Sequence, residues 1–281
     1  MKHRLVNPAY WLALPAGLVL TVFVFVPFLA VMRFATWEWS GLSEHEVVGL
    51  GNVTRMFRDP EFWRSLFTTF KVMLLTVPLF VLLSRSIALA IYGLWLERFV
   101  EALLFLPSLL TIAGSSIAWY LLYNPDFGFI VELTGVALPW NAEPWAGIVY
   151  IVLFSLWQTV GYGVLVVSAA LKGIPEYVRE AARVDGASEG AIRRYITSPL
   201  LMPNLLFLAV VSTMFSLQSY TAVYLLTEGA PFGSTRVLGF YLYEVAFRRF
   251  QLGYGAMLTI ALLVITMSFA LLQVALFRSR Q

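Results

Sequence analysis

The sequence predicts an all-α protein that crosses a membrane six times, as one transmembrane domain over residues 1–281. Three observations carry this. Hydrophobic residues make up 60% of the chain against 12% charged, with a mean hydropathy of +0.80, whereas soluble domains hold about 25% charged and about 45–50% apolar residues. The apolar residues gather in runs that reach the about 20 residues a spanning helix needs. Between two of those runs lies a polar island, Lys172 to Pro199, which carries Lys172, Glu176, Arg179, Glu180, Arg183, Asp185, Glu189, Arg193 and Arg194. A segment so charged must sit in water beside the membrane.

The chain opens on Lys2, His3 and Arg4, followed by an uncharged run from Leu5 to Met32. A cleaved signal peptide is the rival reading, but the run exceeds the roughly 7–15 residues of a signal-peptide core. It is therefore read as a retained first span over Tyr10–Met32 with its basic end cytoplasmic. Arg33 to Arg64 is polar and aromatic; Trp37, Trp39 and Trp63 suit a membrane interface. Asp59-Pro60-Glu61 reads as a helix start, with a capping carboxylate and a proline whose missing N–H costs nothing in the first turn. The second span, Ser65–Tyr92, is interrupted by Lys71 and Arg85. The bland account is snorkelling of both side chains to the nearer interface; a counter-ion role is the alternative. Gly93 to Glu101 is a short cytoplasmic turn, and the third span, Ala102–Tyr123, is expected to kink at Pro107. An external loop to Pro144 contains Asp126, Glu132 and Glu143 and no lysine or arginine. The fourth span, Trp145–Leu171, has no charge.

The island reads as helix, glycine turn, helix. Pro175 and Glu176 suit a helix start, and Gly186 can take the left-handed conformation that closes the helix after Asp185. Ser188 is a good cap for a second helix through Ile196, and Pro199 is expected to block its smooth continuation. A fifth span, Leu200–Leu226, follows, then an external loop with Gly229, Pro231, Gly233 and Gly253. The sixth span, Tyr254–Phe277, ends at Arg278 and Arg280. Six spans place both termini on the island's side. Of nineteen Lys/Arg, that side holds residues 2, 4, 85, 98, 172, 179, 183, 193, 194, 278 and 280, leaving eight opposite. The bias is right for a cytoplasmic island.

No catalytic constellation is present. The two histidines, His3 and His45, lack metal-ligand partners at useful spacing, and there are no cysteines. A Gly-rich phosphate loop ending in Gly-Lys-Ser/Thr is absent too, so no catalytic residue, metal site, cofactor or ATPase site is expected. A net charge of +3 without a basic, aromatic-interleaved stripe argues against nucleic acid. What remains is polarity inside the two spans that flank the island. In the fourth, Ser155, Gln158, Thr159 and Tyr162 fall at steps of three and four and share a helical face, beside Gly161 and Gly163, which permit close approach or a bend. In the fifth, Ser212, Phe215, Ser216 and Ser219 repeat the period, with Gln218 and Tyr220 adjacent. Hydroxyls, amides and aromatic faces suit a neutral polyol or sugar; packing between helices by small polar groups is the alternative at each position. Spans three to six contain no carboxylate between their ends, which argues against a secondary transporter driven by an ion gradient.

Glu180-Ala181-Ala182, then Gly186, Ile196 and Ser198-Pro199, resembles the EAA loop of bacterial binding-protein-dependent ABC importer permeases, in the carbohydrate-uptake branch that includes maltose and glycerol-3-phosphate permeases. The stretches Gly49–Trp63, Leu104–Pro107, Trp119–Gly128 and Leu225–Pro231 look like the same family. Ser198, Glu228, Ala230 and Ser84-Arg85-Ser86 depart from its pattern. The resemblance implies a type I ABC importer permease fold in the bacterial inner membrane, surrounded by lipid. Glu180, Ala181, Ala182, Asp185, Gly186, Ala187, Ile196 and Pro199 then form a coupling helix that docks into an ATP-binding cassette ATPase dimer. It also implies a second homologous permease, an external solute-binding protein that delivers a sugar, and a substrate path between the helices that flank the loop. A permease for another small solute such as glycerol-3-phosphate is the alternative.

Overall fold

The computed structural model describes residues 8–42 and 44–278, so the basic ends Lys2, His3, Arg4 and Arg280 lie outside the described residues. In chain order the elements are α1 (Leu12–Phe34), β1 (Trp37–Glu38), β2 (Glu46–Val47), α2 (Gly51–Arg58), α3 (Pro60–Ile91), α4 (Glu97–Leu109) and α5 (Ile112–Tyr123). They continue as α6 (Phe129–Thr134), α7 (Pro144–Lys172), α8 (Glu176–Val184), α9 (Glu189–Leu217), α10 (Tyr220–Leu226), α11 (Leu238–Tyr243) and α12 (Leu252–Arg278). Five helices, α1, α3, α7, α9 and α12, are each long and apolar enough to cross a membrane; α4 and α5 together make a sixth crossing if the bent pair counts as one.

Close contacts sort the chain into two compact units, Met1–Pro60 with Leu242–Val264, and Glu61–Tyr241 with Ile265–Gln281. In the first, none of the apolar window of α1 is buried, as expected of a helix hydrophobic all round that faces lipid. The β1–β2 ribbon is antiparallel, with Trp37 opposite Val47 and Glu38 opposite Glu46. Buried Asn52 holds it by donating to the carbonyls of Ala35 and Trp37, both at 2.9 Å. Asp59 accepts from the Tyr254 hydroxyl at 2.6 Å, while Arg55 lies 4.2 Å over the same ring.

The second unit is built around α7, the most buried of the spans. Trp119, Trp140, Tyr150, Phe154, Ala222 and Leu226 form an aromatic-rich core at one end of it, with the Tyr150 hydroxyl donating to the Trp119 carbonyl at 3.0 Å. Gly161 is there for close approach: a Cβ at that position would stand 1.8 Å from the Leu104 carbonyl oxygen, so the backbones of α7 and α4 touch.

Three element boundaries differ from the sequence reading. The third span is not one kinked helix over Ala102–Tyr123 but two helices bent by 98°. Pro107 lacks an N–H, Leu110 and Thr111 are extended, and the Thr111 side chain accepts from the Gly114 N–H, capping a new helix rather than continuing the old one. The fifth span ends at Leu217 rather than Leu226, because Gln218 and Ser219 leave the helical conformation and the Ser219 hydroxyl takes up the Ser216 carbonyl at 2.9 Å. Pro199, finally, does not stop the second island helix. Arg193–Thr197 forms a wide turn in which the Ser198 N–H reaches back five residues to the Arg193 carbonyl, and this looser winding carries the helix past the proline.

Candidate functional site

Within the second unit, α3, α4, the elbow between α4 and α5, α7 and α9 enclose a cavity of about 670 Å³. Ser155, Gln158, Thr159 and Tyr162 line it from α7. Ser212, Phe215 and Ser216 line it from α9, and Ser219 from the break that follows. All eight residues of the two stripes thus meet in one space, seven because each helix presents its three-and-four-spaced residues on a single face and Ser219 because the break after α9 stays beside it. Phe80, Phe105 and Phe154 add apolar wall, and every lining side chain is uncharged.

The polar groups are not equivalent. Ser155 and Thr159 donate to carbonyls one turn back in α7, Ile151 and Ser155, at 2.8 and 2.7 Å. Gln158 is committed to architecture. Its amide nitrogen donates to the Pro107 carbonyl at 2.7 Å and the Leu110 carbonyl at 3.1 Å, the groups left open by the elbow. The Ser108 hydroxyl returns a bond to the Gln158 backbone carbonyl at 2.7 Å. Gln158 thus lines the cavity with both its N–H donors spent on the elbow, and its Oε1 is buried without a hydrogen-bond partner among the described residues. By contrast, the hydroxyls of Tyr162, Ser212 and Ser216 have no hydrogen-bond partner among the described residues, and the Phe215 ring is 61% exposed.

The island forms a compact knob. In α8 the Ala187 N–H bonds the Ala182 carbonyl at 2.9 Å and the Gly186 N–H bonds that of Arg183 at 3.0 Å, with Gly186 at φ +80°. This paired closure after Asp185 needs a left-handed residue, which glycine supplies without a Cβ penalty. Ser188 then caps α9, accepting from the Ala191 N–H at 3.3 Å. Ala182 turns inward, whereas Tyr177, Glu180, Ala181 and Val184 make one outward face, Tyr177 70% and Val184 88% exposed. Asp185, Gly186 and Pro199 are also exposed; Ala187 and Ile196 are half-buried.

Several anchors of this knob escaped the sequence reading. Buried Arg179 donates to the Leu171 carbonyl at the end of α7 at 3.3 Å and lies 4.7 Å over the Tyr92 ring just past α3. Lys172 bridges Glu97 at 2.7 Å and Glu101 at 3.1 Å, tying α7 to α4. Arg183 reaches Glu189 at 2.9 Å across the glycine turn and Glu176 at 3.4 Å within α8. The bond to Glu189 raises the already high pKa of Arg183, so its charge is permanent. The one available signal was the alternation of opposite charges, which gives no partner assignments by itself.

A bundle of bent and broken spanning helices around an uncharged cavity, with a rigid charged knob between two of its walls, defines an integral-membrane permease subunit. Residues 48–281 match the family described as binding-protein-dependent transport system inner membrane component, and the chain belongs to that family. It is 29% identical over 290 residues to the trehalose/maltose transport system permease protein MalF of Thermococcus litoralis, covering 100% of this chain and 97% of that protein. It is 30% identical over 285 residues to the sulfoquinovosyl glycerol transport system permease protein SmoG of Agrobacterium fabrum, covering 97% and 91%. Among solved structures, a bacterial ABC transporter that imports the acidic polysaccharide alginate shares the fold, with a TM-score of 0.83 at 18% identity over 96% of this chain and 95% of that one. The type I ABC importer permease fold is therefore the fold of this chain.

Proposed function

We propose that the chain works as one permease domain of an ATP-driven importer and passes an uncharged sugar through the α3–α4–α7–α9 cavity by alternating access. The observation that carries this reading is the convergence of the two polar stripes on a cavity whose every lining side chain is uncharged. A sugar needs hydroxyl partners and flat apolar contact, the usual composition of a ligand pocket. The free hydroxyls of Tyr162, Ser212 and Ser216 and the Phe215 ring offer both. A phosphate-bearing solute such as glycerol-3-phosphate calls for cations, so its path is the less favoured reading.

In this reading the knob takes its force from an ATPase dimer through the Tyr177, Glu180, Ala181 and Val184 face, with Asp185, Gly186, Ala187, Ile196 and Pro199 holding its shape. It stands between α7 and α9, which both line the cavity, and Arg179 links it to the ends of α3 and α7. A displacement of the knob is therefore delivered to three cavity walls. The remaining parts are a second homologous permease and an external solute-binding protein; both termini and the knob lie in the cytoplasm.

The test is uptake by the assembled transporter carrying Ser216→Ala or Ser212→Ala. Loss of one hydrogen bond, about 1 kcal/mol, raises the solute concentration for half-maximal uptake about fivefold while assembly and basal ATPase activity hold. Reduced assembly with unchanged apparent affinity returns these residues to a packing role and sinks the assignment.

A further inference from the structure

A second cavity, about 520 Å³, lies between α3 and α9 and is separate from the sugar cavity in every lining residue. Its walls are Val77, Pro78, Val81 and Leu82 on one side and Met202, Leu205 and Ala209 on the other. Arg85 and Ser198 close its polar end, next to the knob. Leu82 is 55% and Met202 48% exposed, so the groove opens sideways, toward lipid. From Val77 to Arg85, at about 1.5 Å per residue, it is about 12 Å long.

Arg85 does not snorkel freely to an interface. Its Nη2 donates to the Ser198 hydroxyl at 2.6 Å, and that hydroxyl in turn donates to the Arg193 carbonyl at 2.6 Å. The guanidinium is thus fixed at the mouth of the groove. Its Nε is buried and without a hydrogen-bond partner, and no carboxylate pairs with Arg85 among the described residues. A cation beside hydrocarbon is costly until it finds a counter-charge, and its planar fork of donors suits a phosphate.

From the charge at one end and the apolar trough running from it, we infer that this groove holds an anionic phospholipid. The headgroup phosphate lies on Arg85 and an acyl chain lies along Val81, Leu82, Met202 and Leu205. Arg85 interrupts apolar sequence, and Ser198 at the end of the polar island accounts for its placement: the serine orients the arginine. A lipid seated there touches α9 directly beside the wide turn that joins the knob to the cavity wall.

The experiment uses the purified, assembled transporter exchanged into phosphatidylglycerol–phosphatidylcholine mixtures, with retained lipid read by native mass spectrometry after mild delipidation. The wild-type protein should retain phosphatidylglycerol over phosphatidylcholine by about fivefold, the effect of roughly one basic residue on an anionic lipid. Arg85→Gln should bring that ratio to near one, and Ala209→Trp, which fills the trough and leaves Arg85 in place, should lower retained phosphatidylglycerol. A wild-type ratio near one overturns the proposal without recourse to any variant, and is also the result expected if another protein chain covers the groove. An undiminished preference in Arg85→Gln, or undiminished retention in Ala209→Trp, overturns it equally. None of these readings depends on which solute the transporter carries.

Discussion

Replacing Gln158 by leucine separates architecture from solute contact. The side chain keeps its approximate volume but loses both N–H bonds to the elbow, those to the Pro107 carbonyl at 2.7 Å and the Leu110 carbonyl at 3.1 Å. Interhelical hydrogen bonds in membranes average about 0.6 kcal/mol each, giving a lower bound of about 1 kcal/mol for the pair. Two carbonyls left unsatisfied at about 1–3 kcal/mol each set an upper bound of about 6 kcal/mol. At about 2–4 °C per kcal/mol for a protein near this size, even the lower bound is a measurable loss of Tm. The assay is thermal unfolding of the purified transporter with and without solute, beside Ser216→Ala as the control that keeps the elbow. The expected outcome is a lowered Tm for Gln158→Leu in both conditions, against an unchanged solute-free Tm for Ser216→Ala. An unchanged Tm for Gln158→Leu together with weakened solute binding would refute the structural role.

Two further outcomes follow from the knob and the loops. Gly186→Val places a β-branched residue at φ +80° where open space surrounds the new Cβ, so the cost is backbone strain alone, about 1–2 kcal/mol. Assembly should persist while solute-stimulated ATP hydrolysis collapses, and normal stimulation in the purified variant would remove the knob from the coupling path. In this cysteine-free chain, Ser188→Cys should be labelled by an impermeant thiol reagent only from the cytoplasm, and Phe232→Cys, at a side chain 96% exposed, only from outside; labelling from one common side contradicts the proposed topology.

How far the site was legible depended on whether the signal was local. The stripes on α7 and α9 could be read because hydroxyls and an amide at three-and-four spacing stand out in charge-free spans. The glycine turn could be read because Gly186 and Ser188 state the geometry of their own neighbourhood. The elbow could not: Pro107 announces a kink, but a full break needs Thr111 as a cap and Gln158, far along the chain, to accept the cost of two open carbonyls. The same limit hid Arg179, whose value lies in Tyr92 and Leu171, and Arg85, which means little until Ser198 is beside it. Pro199 told half the story for a related reason, since a proline forbids a regular turn, as read, and says nothing against a wider one.

That wider turn at Arg193–Thr197 leaves α9 as one member reaching from the knob to the uncharged cavity. From Glu189 to Ser216, at about 1.5 Å per residue, it measures about 40 Å. A lever of that length amplifies: pivoted at the knob, a tilt of only about 5° sweeps Ser216 sideways by about 3.5 Å, more than the length of a hydrogen bond. If that cavity holds the solute as proposed, gripping and releasing it needs no local rearrangement there, only a small change of angle at the far end. A hinge in place of the wide turn would have absorbed that angle where it was applied.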